Sequence, residues 1–154
     1  MIDGYPLKHA VFRYDVDGKD VTDYMVGLLQ EDYPHKFTTR GEFDVVRKIK
    51  EQRCFVSKNF DKEKKAYNKV SSGLINTNFV DFTLPDGEDI IFGDQVFRCP
   101  EIIFQPKMIA RDFPGISHCI HKTIMKCEVN QRRDFFNNIL LAGGNTKFRG
   151  FADR

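Results

Sequence analysis

Three charged residues with helical spacing could form one wall of a ligand site. Arg47, Lys50 and Glu51 stand at positions i, i+3 and i+4, and residues at these spacings are neighbours on one face of a helix. A carboxylate there can accept hydrogen bonds from a pair of sugar hydroxyls, while the two cations face or stack on a base. On spacing alone, an exposed and charged helix face remains the more common origin of such a pattern.

A double glycine after a predicted strand offers a second place for a ligand. The apolar run 138–142 leads directly into Gly143 and Gly144. A strand that opens into two glycines lets the backbone approach a phosphate or a nucleoside closely. The sequence contains neither the Rossmann nor the P-loop glycine pattern, so the signal is weak by itself. A tight turn without a ligand is the alternative.

Histidines and cysteines that lie close in sequence raise the question of zinc. The group is His118, Cys119, His121 and Cys127, but Cys119 is displaced from His118 by about 100° around a helix. Structural zinc usually takes paired ligands from two elements. The four cysteines of the chain include no CxxC pair, and no secretory signal accompanies them. We therefore expect reduced, mostly buried thiols and no metal site.

Composition indicates one globular domain. The chain has 154 residues, and its 41% hydrophobic content, with 15 Phe, suffices to build a core. Lys and Arg total 24 against 22 Asp and Glu, and the two signs are interspersed, which does not indicate a nucleic-acid partner. No apolar run reaches the length of a membrane span, and the first residues do not form a signal peptide. We expect a soluble intracellular protein.

Hydrophobic spacing and turn residues predict a mixture of helices and short strands. Thr38 or Thr39 is expected to cap one helix, with Glu42 completing a capping box. The segment 58–69 is expected to be a solvated helix end and a loop, and its lysines an ordinary solvated face rather than a nucleic-acid signal. The other predicted elements are a strand over 9–14, a helix over 20–30, a hairpin of 78–84 and 89–92, a short helix over 93–97 ended by Cys99-Pro100, helices over 116–127 and 130–136, and a buried strand over 138–142.

Five ordered motifs, and the strand before them, resemble the actin family. The final segment, LLAGGNTKFRGFADR, resembles the family's strand, double-glycine loop and G-[IF]-A-D-R ending. The other segments are KHAVFRYDVDG, DGKDVTDYM, VVRKIKEQRCFV, FRCPEIIFQP and IHKTIMKC. The similarity covers essentially the whole chain in order, with small insertions near Pro34-His35 and in the loop 68–78.

The resemblance implies a partial actin-like α/β fold, of the actin and Hsp70-type ATPase class with a ribonuclease H-like core, taken from the family's second half. Residues 1–16 with 112–154 would belong to the inner α/β subdomain. Residues 17–111 would form the smaller outer subdomain inserted into it, built of helices and the β-hairpin. The apolar residues expected in core strands are Phe12, Ile139, Leu140 and Leu141.

The resemblance also implies a cleft for ATP or ADP with a divalent cation, Mg²⁺ or Ca²⁺. It places Gly18 near the ribose, and Arg47, Lys50 and Glu51 on a helix that flanks the adenine and bonds the ribose hydroxyls. It places Gly143 and Gly144 where the backbone approaches the nucleotide. Asn145, Lys147 and Phe148 would lie on the adenine side.

The sequence departs from the family pattern at several positions, which changes the expected packing of the base and the expected ATPase activity. Asn145, Lys147 and Phe148 replace a Thr, a Met and a Tyr that are common in actins, so we expect altered packing of the base within a retained pocket. The segment 108–114 also departs from the family's apolar plug between filament strands. The phosphate loop and water-ordering residues of the family have no counterpart here, so the resemblance assigns no catalytic residue. We expect no ATP hydrolysis from these 154 residues, although a complete protein would be an ATPase.

Three functional hypotheses follow. The first is a piece of a cytoskeletal actin-like ATPase of the cytoplasm, which forms filaments with other actin-like subunits and contacts actin-binding proteins. The second is a divergent actin-related protein that acts as a non-polymerising subunit of a chromatin or motor-cofactor complex, in which case a nuclear location is open. The third is a stand-alone ligand-binding module.

Overall fold

The structure, a computed structural model, describes residues 1–71 and 80–154. This part of the chain is mostly helical and contains one small antiparallel sheet. The helices and strands are α1 (Gly18–Asp32), α2 (Arg40–Arg53), α3 (Phe60–Ser71), β1 (Val80–Thr83), β2 (Asp89–Phe92), α4 (Gln95–Glu101), α5 (Ile116–Met125) and α6 (Arg132–Asn137). Short 3₁₀ turns occur at Lys8–Ala10, Pro106–Ile109, Val129–Gln131 and Gly144–Lys147.

Capping side chains fix where α1 and α2 begin. The Oδ1 of Asp17 accepts hydrogen bonds from the backbone N–H groups of Lys19 and Asp20, at 2.7 and 2.9 Å. The Oγ1 of Thr39 accepts from the N–H of Glu42, and the Glu42 carboxylate accepts from the N–H of Thr39 at 2.7 Å. This reciprocal arrangement is the predicted capping box, and it satisfies donors that the first turn leaves without helical partners. The cap is thus Thr39 rather than Thr38.

The core lies where α1 packs against α2 and α4. Met25 and Leu29 of α1 are fully buried, and so are Val46 and Ile49 of α2. The same cluster takes in Phe97 of α4. Since residues at i, i+3 and i+4 share a helix face, the apolar stripes of the sequence meet at this junction. Its outer edge faces the cleft described below.

The predicted hairpin is confirmed over the described residues. β1 pairs antiparallel with β2, with Phe82 opposite Ile90 and Thr83 opposite Asp89. The N–H of Gly87 donates to the carbonyl of Leu84 at 2.9 Å and closes the turn. Residues 78 and 79, which were expected in the first strand, lie outside the described residues.

Proline does not end the helix that it was predicted to end. α4 begins at Gln95 and continues through Pro100, because the missing N–H of Pro100 costs the helix only one hydrogen bond near its end. The acceptor left over is the carbonyl of Val96, four residues earlier. It accepts instead from the N–H of Phe55 at 3.1 Å. The proline therefore provides a contact between α4 and the segment that follows α2.

The segment 58–69 was predicted to end in a loop, but α3 occupies it from Phe60 onward. The helix begins where the Oδ1 of Asn59 accepts from the N–H of Lys62 at 3.1 Å. Phe60 is buried, and both Phe60 and Tyr67 place their rings edge-on against Phe97. This aromatic contact outweighs the polar composition of the segment, which is why composition alone missed the helix.

Two predicted strands are wrong. The residues 9–14 contain the end of a 3₁₀ turn and then irregular chain, and the residues 138–142 form no regular element and no strand pairing. A strand requires a neighbour for its backbone N–H and C=O groups, and the described chain brings none beside either segment. The side chains expected in the core are accordingly exposed: Phe12 by 44%, Ile139 by 47%, Leu140 by 91% and Leu141 by 37%.

The helices over 116–127 and 130–136 are confirmed with small shifts of their bounds, since α5 ends at Met125 and a 3₁₀ turn precedes α6. Among the described residues, no helix combines the length and the apolar character needed to cross a membrane. The division into 1–16 with 112–154 and 17–111 stays a prediction.

Candidate functional site

A cleft of about 670 Å³ lies between α1, α2 and the turn after the double glycine. Eight of the nine predicted site residues line it, although they come from three distant parts of the chain. They are Gly18 of α1, Arg47, Lys50 and Glu51 of α2, and Gly144, Asn145, Lys147 and Phe148 of the glycine turn. The ninth, Gly143, has a φ of +100° that suits glycine, and it bends the chain into the turn without lining the cleft.

Lys50 holds the inner end of the cleft together. Its side chain is 94% buried, which excludes the simpler interpretation of this residue as an exposed charge. The Nζ donates to the carbonyl of Gly18 at 2.8 Å and to the Oγ1 of Thr22 at 2.9 Å. An ammonium has three N–H donors, so one remains for a ligand in the cleft. Lys50 thus ties α2 to the start of α1.

Arg47 and Glu51 form the outer part of the α2 wall. The Nε of Arg47 lies 3.6 Å from Oε1 of Glu51, and both side chains are more than half exposed. A pair exposed to this degree contributes little to stability because water screens it. Both groups therefore remain able to exchange this contact for a ligand. The carboxylate offers acceptors for hydroxyl groups, and the guanidinium offers donors and a flat face.

The glycine turn is held beside α2 by backbone contacts. The N–H of Val56 donates to the carbonyl of Arg149 at 2.8 Å. Gly150 has a φ of +82°, and a Cβ there would lie 2.3 Å from the carbonyl oxygen of Val56. The segment that follows α2 therefore holds the far end of the turn. Phe148 is buried at this junction and forms an apolar wall of the cleft.

Asn145 reaches from the turn toward α1. A Cβ placed on Gly18 would lie 3.3 Å from the Oδ1 of Asn145 and 3.8 Å from the Nζ of Lys50. A side chain at position 18 would be in tight contact with Asn145 and in ordinary van der Waals contact with Lys50, so glycine here leaves space in the cleft between the turn and α1.

Sequence analysis missed five lining residues: Lys19, Thr22, Asp23, Phe43 and Asp44. Helical periodicity could have found three of them. Phe43 lies four residues before Arg47, and Thr22 and Asp23 lie four and five residues after Gly18, which places them on or beside the same faces. The Nζ of Lys19 lies 3.9 Å from the Asp23 carboxylate, a single-turn pair on the α1 wall.

The charges in the cleft are mixed. Four cations line it (Lys19, Arg47, Lys50 and Lys147), and three carboxylates accompany them (Asp23, Asp44 and Glu51). Just outside, the N–H of Asp20 lowers the pKa of Asp17, and the nearby amines of Lys19 and Lys50 act in the same direction. Mixed donors, acceptors and aromatic walls suit a molecule with both a ring and hydroxyls better than an anion alone.

All four cysteines are free and buried, as predicted. Burial raises the pKa of Cys99 well above its ordinary value, and the adjacent Cys54 thiol acts in the same direction. The carbonyl of Val21 accepts from the Cys99 thiol at 3.4 Å. Within the described ranges, no three His, Cys, Asp or Glu side chains are grouped so that they could hold a metal ion.

Comparison with protein families decides the identity. The family model described as Actin matches residues 1–154, the whole chain. The chain belongs to the actin family. Actin membership confirms the predicted α/β actin-like fold class, to which the described residues contribute helices and the small β1–β2 sheet.

The match also gives the cleft its context. The matched region includes α1, α2 and the glycine turn, and eight of the residues that line the cleft are among those that the family resemblance named.

Proposed function

We propose that this actin-family protein binds ATP or ADP in the cleft between α1, α2 and the glycine turn. The observation that carries the proposal is the convergence of three distant segments, 18, 47–51 and 144–148, on one cleft. Its volume of about 670 Å³ lies within the range of about 300–1,000 Å³ typical of small-molecule sites.

Each wall has a role that its chemistry supports. Glu51 accepts hydrogen bonds from the ribose hydroxyls, and Arg47 beside it offers donors or a flat cationic face to the base. Lys50 also lines the cleft, and it keeps a third N–H donor for the ligand because Gly18 and Thr22 use the other two. Phe148 supplies apolar surface against which a base can stack.

A divalent cation, Mg²⁺ or Ca²⁺, is proposed to accompany the nucleotide on its phosphates. The part of the chain that the structure describes offers no cluster of ligands for that cation, so its affinity should follow that of the nucleotide. The residues of the cleft therefore account for the nucleoside side of the site.

Isothermal titration calorimetry tests the proposal. Titration with Mg²⁺-ATP, Mg²⁺-ADP and adenosine should each give saturable binding at one site. Glu51→Gln keeps the size of the side chain and removes its charge, so it should weaken all three ligands about tenfold, since hydrogen bonds to charged groups are worth about 1.5–3 kcal/mol. The matched control is Glu128→Gln, which lies outside the cleft and is exposed.

The outcomes separate clearly. Saturable binding that Glu51→Gln weakens and Glu128→Gln leaves unchanged supports the site. Absence of saturable heat with all three ligands, or equal effects of the two variants, would refute it.

We further propose that the protein acts as a cytoskeletal, filament-forming actin-like protein of the cytoplasm, with other actin-like subunits and actin-binding proteins as partners. Family membership supports this proposal. Sedimentation at increasing protein concentration with Mg²⁺-ATP should show a critical concentration, above which added protein pellets. A monomer at every concentration would favour the alternative, a non-polymerising subunit of a chromatin or motor-cofactor complex.

A further inference from the structure

Most polar side chains of the cleft already have protein partners. Lys50 bonds Thr22, Arg47 pairs with Glu51, and Lys19 pairs with Asp23. Among the described residues, three lining side chains form no hydrogen bond or ion pair: Asp44, Asn145 and Lys147. A ligand can engage these three groups without breaking a contact, and the same holds for the third N–H of Lys50.

Asn145 and Lys147 lie together on the glycine turn, while Asp44 stands apart on α2. Asp44 also borders a shallower depression with Arg40 and Phe43, which puts it at the outer end of the cleft. Asn145, by contrast, reaches toward Gly18 at the inner end, and Lys147 is followed directly by the apolar wall of Phe148. A base stacked on that wall would therefore have Asn145 and Lys147 of the same turn beside it.

The turn offers the edge of such a base mainly donors. A lysine ammonium has three N–H donors and no acceptor, and an asparagine carboxamide adds two donors and one acceptor. Purines differ at the edge that carries N7 and position 6. Adenine shows an acceptor and an amino donor there, whereas hypoxanthine and guanine show two acceptors, N7 and O6. An ammonium facing an amino group cannot bond it, but it can bond a carbonyl oxygen and N7 together.

We propose that Lys147, assisted by Asn145, makes this cleft accept a 6-oxopurine nucleotide at least as well as a 6-aminopurine nucleotide. The inference rests on the proposed function, because it requires a nucleotide in the cleft. It concerns only the base, so it can fail while nucleotide binding stands.

ATP and ITP form the sharpest pair of probes, because they differ only in the amino or oxo group at position 6 and in the proton that the oxo form carries on N1. Both are titrated calorimetrically, with Mg²⁺, into the wild-type protein and into Lys147→Met, which keeps the length of the side chain and removes its charge. Lys147→Arg restores a cation with several donors. Lys126→Met serves as the matched control, since Lys126 is exposed and lies outside the cleft. Lys147 is exposed, so none of these changes removes a core contact.

The expected result is a dissociation constant for ITP equal to or lower than that for ATP in the wild type and in Lys126→Met. Lys147→Met should weaken ITP by about threefold or more while leaving ATP unchanged or improved, since an exposed charged hydrogen bond is worth less than a buried one. Lys147→Arg should recover ITP binding.

Either of two results in this comparison would overturn the inference while leaving the proposed function intact: ATP binding tighter than ITP binding in the wild type, or an unchanged ratio in Lys147→Met. If neither nucleotide binds, the proposed function and the inference fall together. The Asp44→Asn variant tests whether the amino group of adenine contacts Asp44 instead. If this variant binds ATP more weakly and ITP as before, that contact exists and the role of Lys147 is refuted.

Discussion

The Nζ of Lys50 lies 2.9 Å from the Oγ1 of Thr22, and this hydrogen bond crosses between α2 and α1 directly behind the cleft. The Thr22 hydroxyl in turn donates to the carbonyl of Gly18 at 2.9 Å, and the same carbonyl accepts from Lys50. Three groups thus close a small network in which each member has a partner. Because Thr22 and Lys50 are both buried, water cannot easily replace a lost partner.

Thr22→Val should destabilise the protein, because it keeps the shape of the side chain and removes the hydroxyl. Lys50 would then hold a buried charge with one protein partner fewer, at a cost of about 1–3 kcal/mol in the free energy of unfolding. Urea denaturation monitored by far-UV circular dichroism measures the change. Thr22→Ser is the matched control, since it retains the hydroxyl and should lie closer to the wild type. A Thr22→Val protein as stable as the wild type, or no less stable than Thr22→Ser, would contradict the contribution given to the hydrogen bond.

Gly150 and Gly87 have almost the same φ, +82° and +87°, but different surroundings. A Cβ on Gly150 would meet the carbonyl oxygen of Val56 at 2.3 Å, whereas a Cβ on Gly87 would meet nothing within 4 Å. Gly87→Ala should therefore cost only the left-handed conformation, about 1–2 kcal/mol. Gly150→Ala should cost clearly more, because the backbone contact that holds the glycine turn beside α2 must also move. Thermal unfolding of both variants measures the difference, and equal losses would contradict the role given to the Val56 contact.

Glu101 should make stability fall as pH rises above the ordinary range of a carboxyl group. Its side chain is fully buried, one oxygen bonds Gln105 and Arg154, and the other has no protein partner. Burial raises the pKa of Glu101, and the bonds to Gln105 and Arg154 oppose that rise only in part. The folded protein therefore binds the proton more tightly than the unfolded chain does. Binding of this proton stabilises the folded protein fully below the pKa of Glu101 in the unfolded chain, about 4.3. The stabilisation is lost as pH rises through the higher pKa of Glu101 in the folded protein.

Urea denaturation of the wild type and Glu101→Gln at successive pH values checks this sign. The wild-type stability minus that of the variant should decrease as pH rises from about 4 and become constant above the folded pKa. Arg154→Gln should extend the decrease to higher pH, because the cation that opposes the rise of the pKa is gone. If the stability of the wild type minus that of Glu101→Gln instead increases with pH, then Arg154 lowers the pKa of Glu101 by more than burial raises it.

Local signals in the sequence predicted the elements whose causes are local. Thr39 and Glu42 lie three residues apart, and their side chains alone can close the start of α2, so the spacing was sufficient. The turn at Gly87 likewise needs a residue with positive φ, and the glycine in the sequence indicated that need by itself. The run 138–142 failed for the opposite reason, because a strand depends on a neighbour that no local pattern specifies.

The sequence predicted part of the membership of the site but not the contacts within it. Family motifs named eight of the residues that line the cleft. The burial of Lys50 could not be inferred from α2, because its partners, Gly18 and Thr22, belong to α1 and lie about thirty residues earlier. The continuation of α4 through Pro100 has the same origin, since the freed carbonyl of Val96 finds its donor at Phe55.

Gly18→Ala should weaken nucleotide binding without weakening the fold. The backbone of Gly18 begins α1, and alanine is the better helix former, so stability should stay equal or rise slightly. The added Cβ, however, would lie 3.3 Å from the Oδ1 of Asn145 and 3.8 Å from the Nζ of Lys50, which narrows the cleft between α1 and the glycine turn. We expect a loss of ATP affinity of about three- to tenfold, equal to ~0.7–1.4 kcal/mol. Gly27→Ala on the same helix is the matched control, because a Cβ there meets nothing within 4 Å. Calorimetric titration of both variants, with thermal unfolding as the check on the fold, separates the two effects: if Gly18→Ala binds ATP as the Gly27→Ala protein does, the ligand does not approach the start of α1.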